Sequence, residues 1–181
     1  MNELPEFKAF GKIPRLSRDC VITEKIDGTN AQVLITEDGQ IFAGSRNRWL
    51  QPGKTSDNYG FAAWVEAHKE ELMHLGPGRH YGEWYGLGIQ RGYGLSEKRF
   101  ALFNPKWTDE RPGCVEVVPQ LYTGAFTTEA ITAVLEQVKN FGSMAVPGFM
   151  NPEGIVVTHL ASGARFKKTI EHDEAPKSVA A

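Results

Sequence analysis

The chain reads as α+β, built of mostly antiparallel sheets flanked by helices, and three observations predict that class. Short apolar or alternating runs outnumber helical stretches. Hairpin signals join several of them, at Glu37-Asp38-Gly39 and Ala161-Ser162-Gly163. No strand–helix–strand alternation of a doubly wound parallel sheet recurs along the chain.

The elements follow in order. Val21-Ile22-Thr23 predicts a short buried strand. Residues 31–36 and 40–43 alternate about the Asp-Gly turn and predict a hairpin. Phe61, Trp64, Val65, His68, Leu72 and Leu75 fall at helical spacing, so 61–75 is expected as one helix stopped by Gly76-Pro77-Gly78, with His68 an ordinary part of it. Residues 99–104 and 114–118 read as strands. Thr127 or Thr128 can cap a second helix over Thr128–Phe141, with Ile131, Val134, Leu135 and Val138 as its apolar stripe and Gly142 at its end. A last hairpin is expected over 154–158 and 164–168, and 171–181 reads as a polar, frayed tail. With no linker and no repeat, the expectation is one domain over 1–181.

Composition narrows the function. The formal net charge is −2, so any polyanion site must be a local patch. Cys20 and Cys114 stand far apart with no Cys-x-x-Cys pair, which points to a reducing, cytoplasmic setting with both thiols as core or strand residues. No apolar run reaches a membrane span and no leader pattern opens the chain. Gly53-Lys54-Thr55 imitates the end of a phosphate-binding loop, but Arg48 stands where its first glycine belongs. Gly86-x-Gly88 fails likewise at Arg91. His68, His74 and His80 recur every six residues, which puts them on no common helix face and argues against a zinc site.

The run Glu24-Lys25-Ile26-Asp27-Gly28-Thr29-Asn30 carries the most information. An ammonium does not attack an electrophile; a neutral amine does, and burial or a cationic neighbour favours it. The Asp-Gly step turns the backbone sharply beside that amine. Alone, Lys-x-Asp-Gly fits an exposed lysine entering a hairpin equally well. Five further segments follow: Ser45-Arg46, Tyr81-Gly82-Glu83-Trp84-Tyr85-Gly86, Arg99-Phe100-Ala101-Leu102-Phe103, Glu153-Gly154-Ile155-Val156-Val157 and Arg165-Phe166-Lys167-Lys168. Singly, each has a bland reading: a solvated hairpin end, a strand-edge acid, a core aromatic, a solvated strand end.

In this order the six segments resemble the nucleotidyltransferase motifs of the covalent ATP-dependent nucleic-acid ligases, from about Val21 to Lys168. The Glu-Lys-x-Asp-Gly-Thr-Asn variant is most similar to the RNA-ligase-2-like branch; DNA ligases and messenger-RNA capping enzymes share the set more loosely. The resemblance implies an adenylation domain with an ATP-grasp-like fold and a nucleotide cleft between its sheets. It also implies an enzyme that seals 3′-hydroxyl to 5′-phosphate ends, as in RNA repair, through a lysyl-AMP intermediate. A DNA ligase, a GTP-dependent capping-type enzyme and a non-catalytic nucleotide- or RNA-binding module are the alternatives.

By that resemblance Lys25 is the nucleophile, and Asp27 shapes the turn and approaches the metal shell. Glu24 helps read adenine through its backbone or side chain, Arg46 contacts the ribose or phosphate of AMP, and Asn30 orients a phosphate. Glu83 accepts from a ribose hydroxyl, while Phe103, or alternatively Phe100, stacks on the purine. Glu153 holds Mg²⁺ or Mn²⁺, both hard cations suited to a carboxylate. Arg165, Lys167 and Lys168 hold the α-phosphate; strand alternation puts Arg165 and Lys167 on one face, which favours Lys167 as essential. The cofactors implied are ATP, as AMP donor, and Mg²⁺ or Mn²⁺. The partners implied are RNA or DNA ends. The chain departs from the family at Phe103-Asn104, where Phe-Asp is usual, and in having only residues 169–181 after Lys168, where an OB-fold or helical domain is expected. Three forms fit that departure: a minimal ligase, a core completed by a partner protein that supplies the second domain, or a ligase restricted to pre-adenylylated ends.

Overall fold

The computed structural model describes residues 4–174. Of the tail expected over 171–181, residues 175–181 lie outside the described residues. The fold is mixed α/β, mostly sheet with few helices, as the sequence predicts. Its strands are β1 (Asp19–Lys25), β2 (Thr29–Ile35), β3 (Ile41–Ser45), β4 (Trp49–Leu50), β5 (Gly78–Gly86), β6 (Lys98–Leu102), β7 (Glu116–Val117), β8 (Gln120–Ala125), β9 (Gly154–His159) and β10 (Arg165–Thr169). Its helices are α1 (Phe61–Ala67), α2 (Lys69–Leu72) and α3 (Thr128–Phe141).

Two sheets form. One has four strands in the order β10-β9-β1-β8, the other six in the order β4-β3-β2-β5-β6-β7. Every pairing is antiparallel except β6 with β7. Both predicted hairpins are present, as β2–β3 and β9–β10.

Period-two alternation gives each sheet one buried face. Val33, Ile35, Ala43, Trp84, Phe100 and Leu102 pack against Phe61, Val65 and Leu72 of α1 and α2. Cys20, Ile22, Ile155 and Val157 pack against Val134 and Val138 of α3. A third cluster, Ile26, Tyr85, Tyr93, Ala101 and Val118, lies where the chain crosses from one sheet to the other. Burial of these apolar faces is the main favourable contribution to folding.

The helices test the sequence reading differently. α3 has the predicted bounds; the Thr127 hydroxyl accepts from the Ala130 N–H, and the helix ends at Gly142. The stretch 61–75 is not one helix. It breaks at His68, whose backbone leaves the helical region, and finishes as a 3₁₀ turn over Met73–Leu75. The apolar period runs through the break because both segments lie on the same sheet face, so the spacing records burial rather than continuity. His68 is therefore a junction residue, with Nδ1 at 2.9 Å from the Trp64 carbonyl. The strand expected over 114–118 shrinks to β7; Cys114 precedes it, partly buried, and both cysteines are free. No helix among the described residues is long and apolar enough to cross a membrane.

Candidate active site

Adjacent residues of β1 serve opposite sides of its sheet. Cys20, Ile22 and Glu24 point toward α3, whereas Val21, Thr23 and Lys25 line a cleft of about 1280 Å³ shared by the two sheets. Cross-strand register extends the cleft-facing rows: Val21 lies opposite Thr158, Thr23 opposite Val156 and Lys25 opposite Gly154. β10 continues them with Arg165, Lys167 and Thr169. Lys168 alternates to the other face and does not line the cleft; its ammonium reaches Asp173, at the cleft rim, at 3.1 Å. The Thr169 N–H also donates to Asp173, so 171–173 folds back on β10.

Lys25 sits at the cleft floor. Its Nζ lies 2.6 Å from Glu153 Oε2; the lysine side chain is 23% exposed and the glutamate 3%. Asp27 and Gly28 then carry the chain across to β2. A side chain at Gly28 would collide with the Trp84 carbonyl and come within 2.8 Å of Tyr85 Cβ, so the turn closes only with glycine there. Asp27, buried, is held from the β5–β6 loop. Arg91 Nε lies 3.1 Å from its carboxylate, and the Tyr93 hydroxyl accepts its N–H at 2.7 Å. Arg91 also donates to the Asn151 carbonyl, two residues before Glu153, so one guanidinium ties the turn after Lys25 to the approach to Glu153.

The six-stranded sheet contributes the opposite wall. Glu83, buried, accepts from the Gly28 N–H at 3.1 Å and from Asn30 Nδ2 at 3.0 Å. Asn30 Oδ1 in turn accepts from Arg46 Nε at 2.8 Å. Burial pushes the Glu83 carboxyl up to about 7; the Lys25 charge and the Gly28 N–H pull it down, Glu153 pushes it up, and Asn30 pulls it down. Phe103, just past β6, lines the cleft. Phe100 does not, being fully buried with its ring 5.1 Å from that of Phe61.

Of the residues the sequence singles out, Lys25, Asp27, Asn30, Arg46, Glu83, Phe103, Glu153, Arg165 and Lys167 converge on this cleft. Glu24 borders it through its main chain, but its carboxylate is spent behind the sheet, accepting from the Ser143 hydroxyl at 2.6 Å and from the Met144 and Ala145 amides. Sequence reasoning missed Arg91, Tyr93 and Ser143. Arg91 and Tyr93 sit in a glycine-rich loop that looks like plain connection; contacts of that sequence separation leave no local pattern.

Among the described residues no group of three or more His, Cys, Asp or Glu is placed to hold a metal ion. Glu153 is the cleft-floor acid beside Lys25, and Asp27, Glu83, Glu171 and Asp173 also line the cleft, oxygen donors of the kind a hard cation takes.

A family model described as RNA ligase matches residues 18–169, and the chain belongs to that family. Similar solved structures include several of Naegleria gruberi RNA ligase. An apo mutant is 24% identical with a TM-score of 0.60, over 84% of this chain and 49% of that one. A mutant with AMP and Mn gives 23% and 0.61, over 85% and 50%. A mutant with ATP and Mn gives 21% and 0.64, over 86% and 51%. These likenesses are of fold, and the chain spans about half the length of the proteins it matches. No curated protein matches the chain.

Proposed function

We propose that the chain is an ATP-dependent RNA ligase core that takes AMP onto Lys25 and passes it to a 5′-phosphate. The observation that carries this reading is the Lys25–Glu153 pair on the floor of a cleft large enough for a nucleotide. In the first step Lys25 Nζ forms a bond to the α-phosphorus of ATP. The bond from that phosphorus to the β-phosphate's bridging oxygen breaks, and pyrophosphate leaves with the electron pair. An oxygen of the 5′-phosphate then bonds to the AMP phosphorus as the Nζ–P bond breaks, returning the amine, and a 3′-hydroxyl attacks the 5′-phosphorus and releases AMP. Each step is in-line phosphoryl transfer, so positioning and charge neutralisation do most of the catalysis.

The chain's own groups divide these tasks. Arg165 and Lys167, on the cleft face of β10, neutralise phosphate oxygens. Glu83, braced by Asn30 and Gly28, takes a ribose hydroxyl, and Phe103 stacks on the purine. Arg46, already on Asn30, reaches the sugar or phosphate. The Glu24 main chain borders the base, while its carboxylate fixes the turn after α3. Asp27, clamped by Arg91, keeps the turn that aims Lys25. Glu153 is the residue to hold Mg²⁺ or Mn²⁺, which when bound would neutralise phosphate charge and favour the neutral amine.

Intact mass after incubation with ATP and Mg²⁺ tests the reading. A gain equal to AMP, absent with GTP, is expected. Labelling by GTP alone, or no adduct with either nucleotide, overturns it.

A further inference from the structure

The six-stranded sheet has a second face besides its core. Asn30, Gln32 and Leu34 on β2, Phe42 and Gly44 on β3, Trp49 on β4, and Arg79, Tyr81 and Glu83 on β5 alternate with the buried set and share it. At the Glu83 end this face is the cleft wall. Away from the cleft it lies open, with Tyr81 52%, Trp49 50% and Phe42 41% exposed.

Register aligns the exposed rings with the cleft. Trp49 lies opposite Gly44, Gly44 opposite Gln32, and Gln32 opposite Tyr81, whose carbonyl accepts the Phe103 N–H. With strands about 4.8 Å apart, this row runs roughly 19 Å from Trp49 to Phe103. A side chain at position 44 would come within 2.9 Å of Gln32 and 3.2 Å of the Trp49 ring, so glycine lets the indole lie against the sheet. The Arg79 guanidinium stands 5.5 Å from the centre of that ring and donates to Gln32 Oε1. A smaller cavity of about 270 Å³ bridges row and cleft, lined by Gln32 and Tyr81 together with Asn30, Arg46, Phe103 and Arg165.

We infer that this open face is a stacking platform for the single-stranded RNA whose end enters the cleft, with Trp49 and Tyr81 as its rings and Arg79 as a phosphate contact. Three observations favour RNA over a protein partner. The row is continuous with the proposed nucleotide site. The charged side chains on the open stretch of this face and around its smaller cavity, Arg46, Arg79 and Arg165, are cations; Glu83 is buried at the cleft end, and Glu37 and Asp38 sit off the far end in the β2–β3 turn. An open sheet with spaced aromatic rings stacks two or three bases and tolerates any sequence. The inference rests on the ligase reading for the identity of the strand, not for the presence of the platform.

Anisotropy of a labelled single-stranded RNA of about a dozen nucleotides, measured on the whole chain, tests it. The double substitution Trp49→Ala with Tyr81→Ala is expected to weaken binding roughly ten-fold or more. Trp49→Phe with Tyr81→Phe, which keeps both ring faces, should restore most of the affinity, and Arg79→Gln should lower the salt slope by about one. AMP adduct formation on Lys25 should be unchanged in all three. An RNA affinity indifferent to loss of the rings overturns the inference, as does failure of the phenylalanine pair to restore it. If the double alanine variant instead loses self-association in sedimentation while keeping RNA affinity, the face belongs to a second copy and the inference falls. A wild-type chain that binds RNA through these rings yet forms no adduct supports the platform and defeats the adenylation reading.

Discussion

The two walls of the cleft are built from different chemistry. The four-stranded sheet presents Lys25, Arg165 and Lys167, with Glu153 entering β9 beside them. The six-stranded sheet presents a braced hydrogen-bonded chain, the Arg46 guanidinium to Asn30 to the buried Glu83 to Gly28, with Phe103 alongside. On the proposed chemistry the first wall meets phosphate, where charge moves, and the second meets sugar and base, where it does not. Substitutions on the first wall should therefore strike rate, and those on the second should strike nucleotide affinity.

The largest effect expected is at Lys25. Lys25→Arg keeps a cation within reach of Glu153 but removes the nucleophilic amine. Adduct formation should vanish in intact-mass analysis while the melting temperature stays near that of wild type. An adduct that survives would move the nucleophile elsewhere and dissolve the contrast between walls.

Glu153→Gln comes next. It keeps volume in a buried position but removes the charge facing Lys25. The adenylylation rate should fall on the order of 10²- to 10³-fold, as when an electrostatic contact of a transition state is lost, with KM for ATP little changed. A rise in KM without loss of rate would make Glu153 a binding residue of the kind assigned to the other wall.

Glu83 sharpens the comparison through pH. Its carboxyl, near 4.5 in an unfolded chain, is pushed up to about 7 by burial. Between those values the folded state holds a proton that the unfolded state has released. The stabilising contribution is thus complete below about pH 4.5 and is lost as pH rises through about 7, a change of about 3 kcal/mol. Glu83→Gln is neutral throughout, so the stability difference between wild type and variant should slope across that window and flatten above it. Urea unfolding at a series of pH values measures it. A difference independent of pH would show that this carboxylate of the second wall is charged in the folded protein.

The contrast between walls is partly legible in the amino-acid sequence. The order of the six motifs picks out Lys25, Glu83, Glu153 and Lys167 through the family resemblance, and the fold brings all four to one cleft. The hairpins and α3 are legible because a two-residue alternation or a capped 3.6-residue period is a local signal. The break at His68 is not, since a shared buried face preserves apolar spacing across it. β5 and β8 also lack a clean pattern. β5 is buried along most of its length and interrupted by Gly82, whereas β8 is a half-exposed strand pairing with β1 from roughly a hundred residues away. The second role of Glu24 is hidden for a related reason. Nothing in Glu-Lys-x-Asp-Gly tells which neighbour faces the cleft until β1 has a sheet and α3 behind it.

The smallest effect tests side-chain direction on β10, where two adjacent lysines lie on opposite faces. Lys167, in line with Val156 and Thr23, lines the cleft, while Lys168 does not line it and pairs with Asp173 at its rim. An exposed pair such as Lys168–Asp173 contributes little to stability. Lys167→Ala should slow adenylylation roughly ten-fold or more through loss of a charge-assisted phosphate contact, and Lys168→Ala should leave the rate within about two-fold. Single-turnover labelling with ATP reads both. Equal losses would mean that β10 shifts its register when nucleotide binds. The Asp173 contact would then be a resting arrangement, and β10 would bring two lysines to the cleft instead of one.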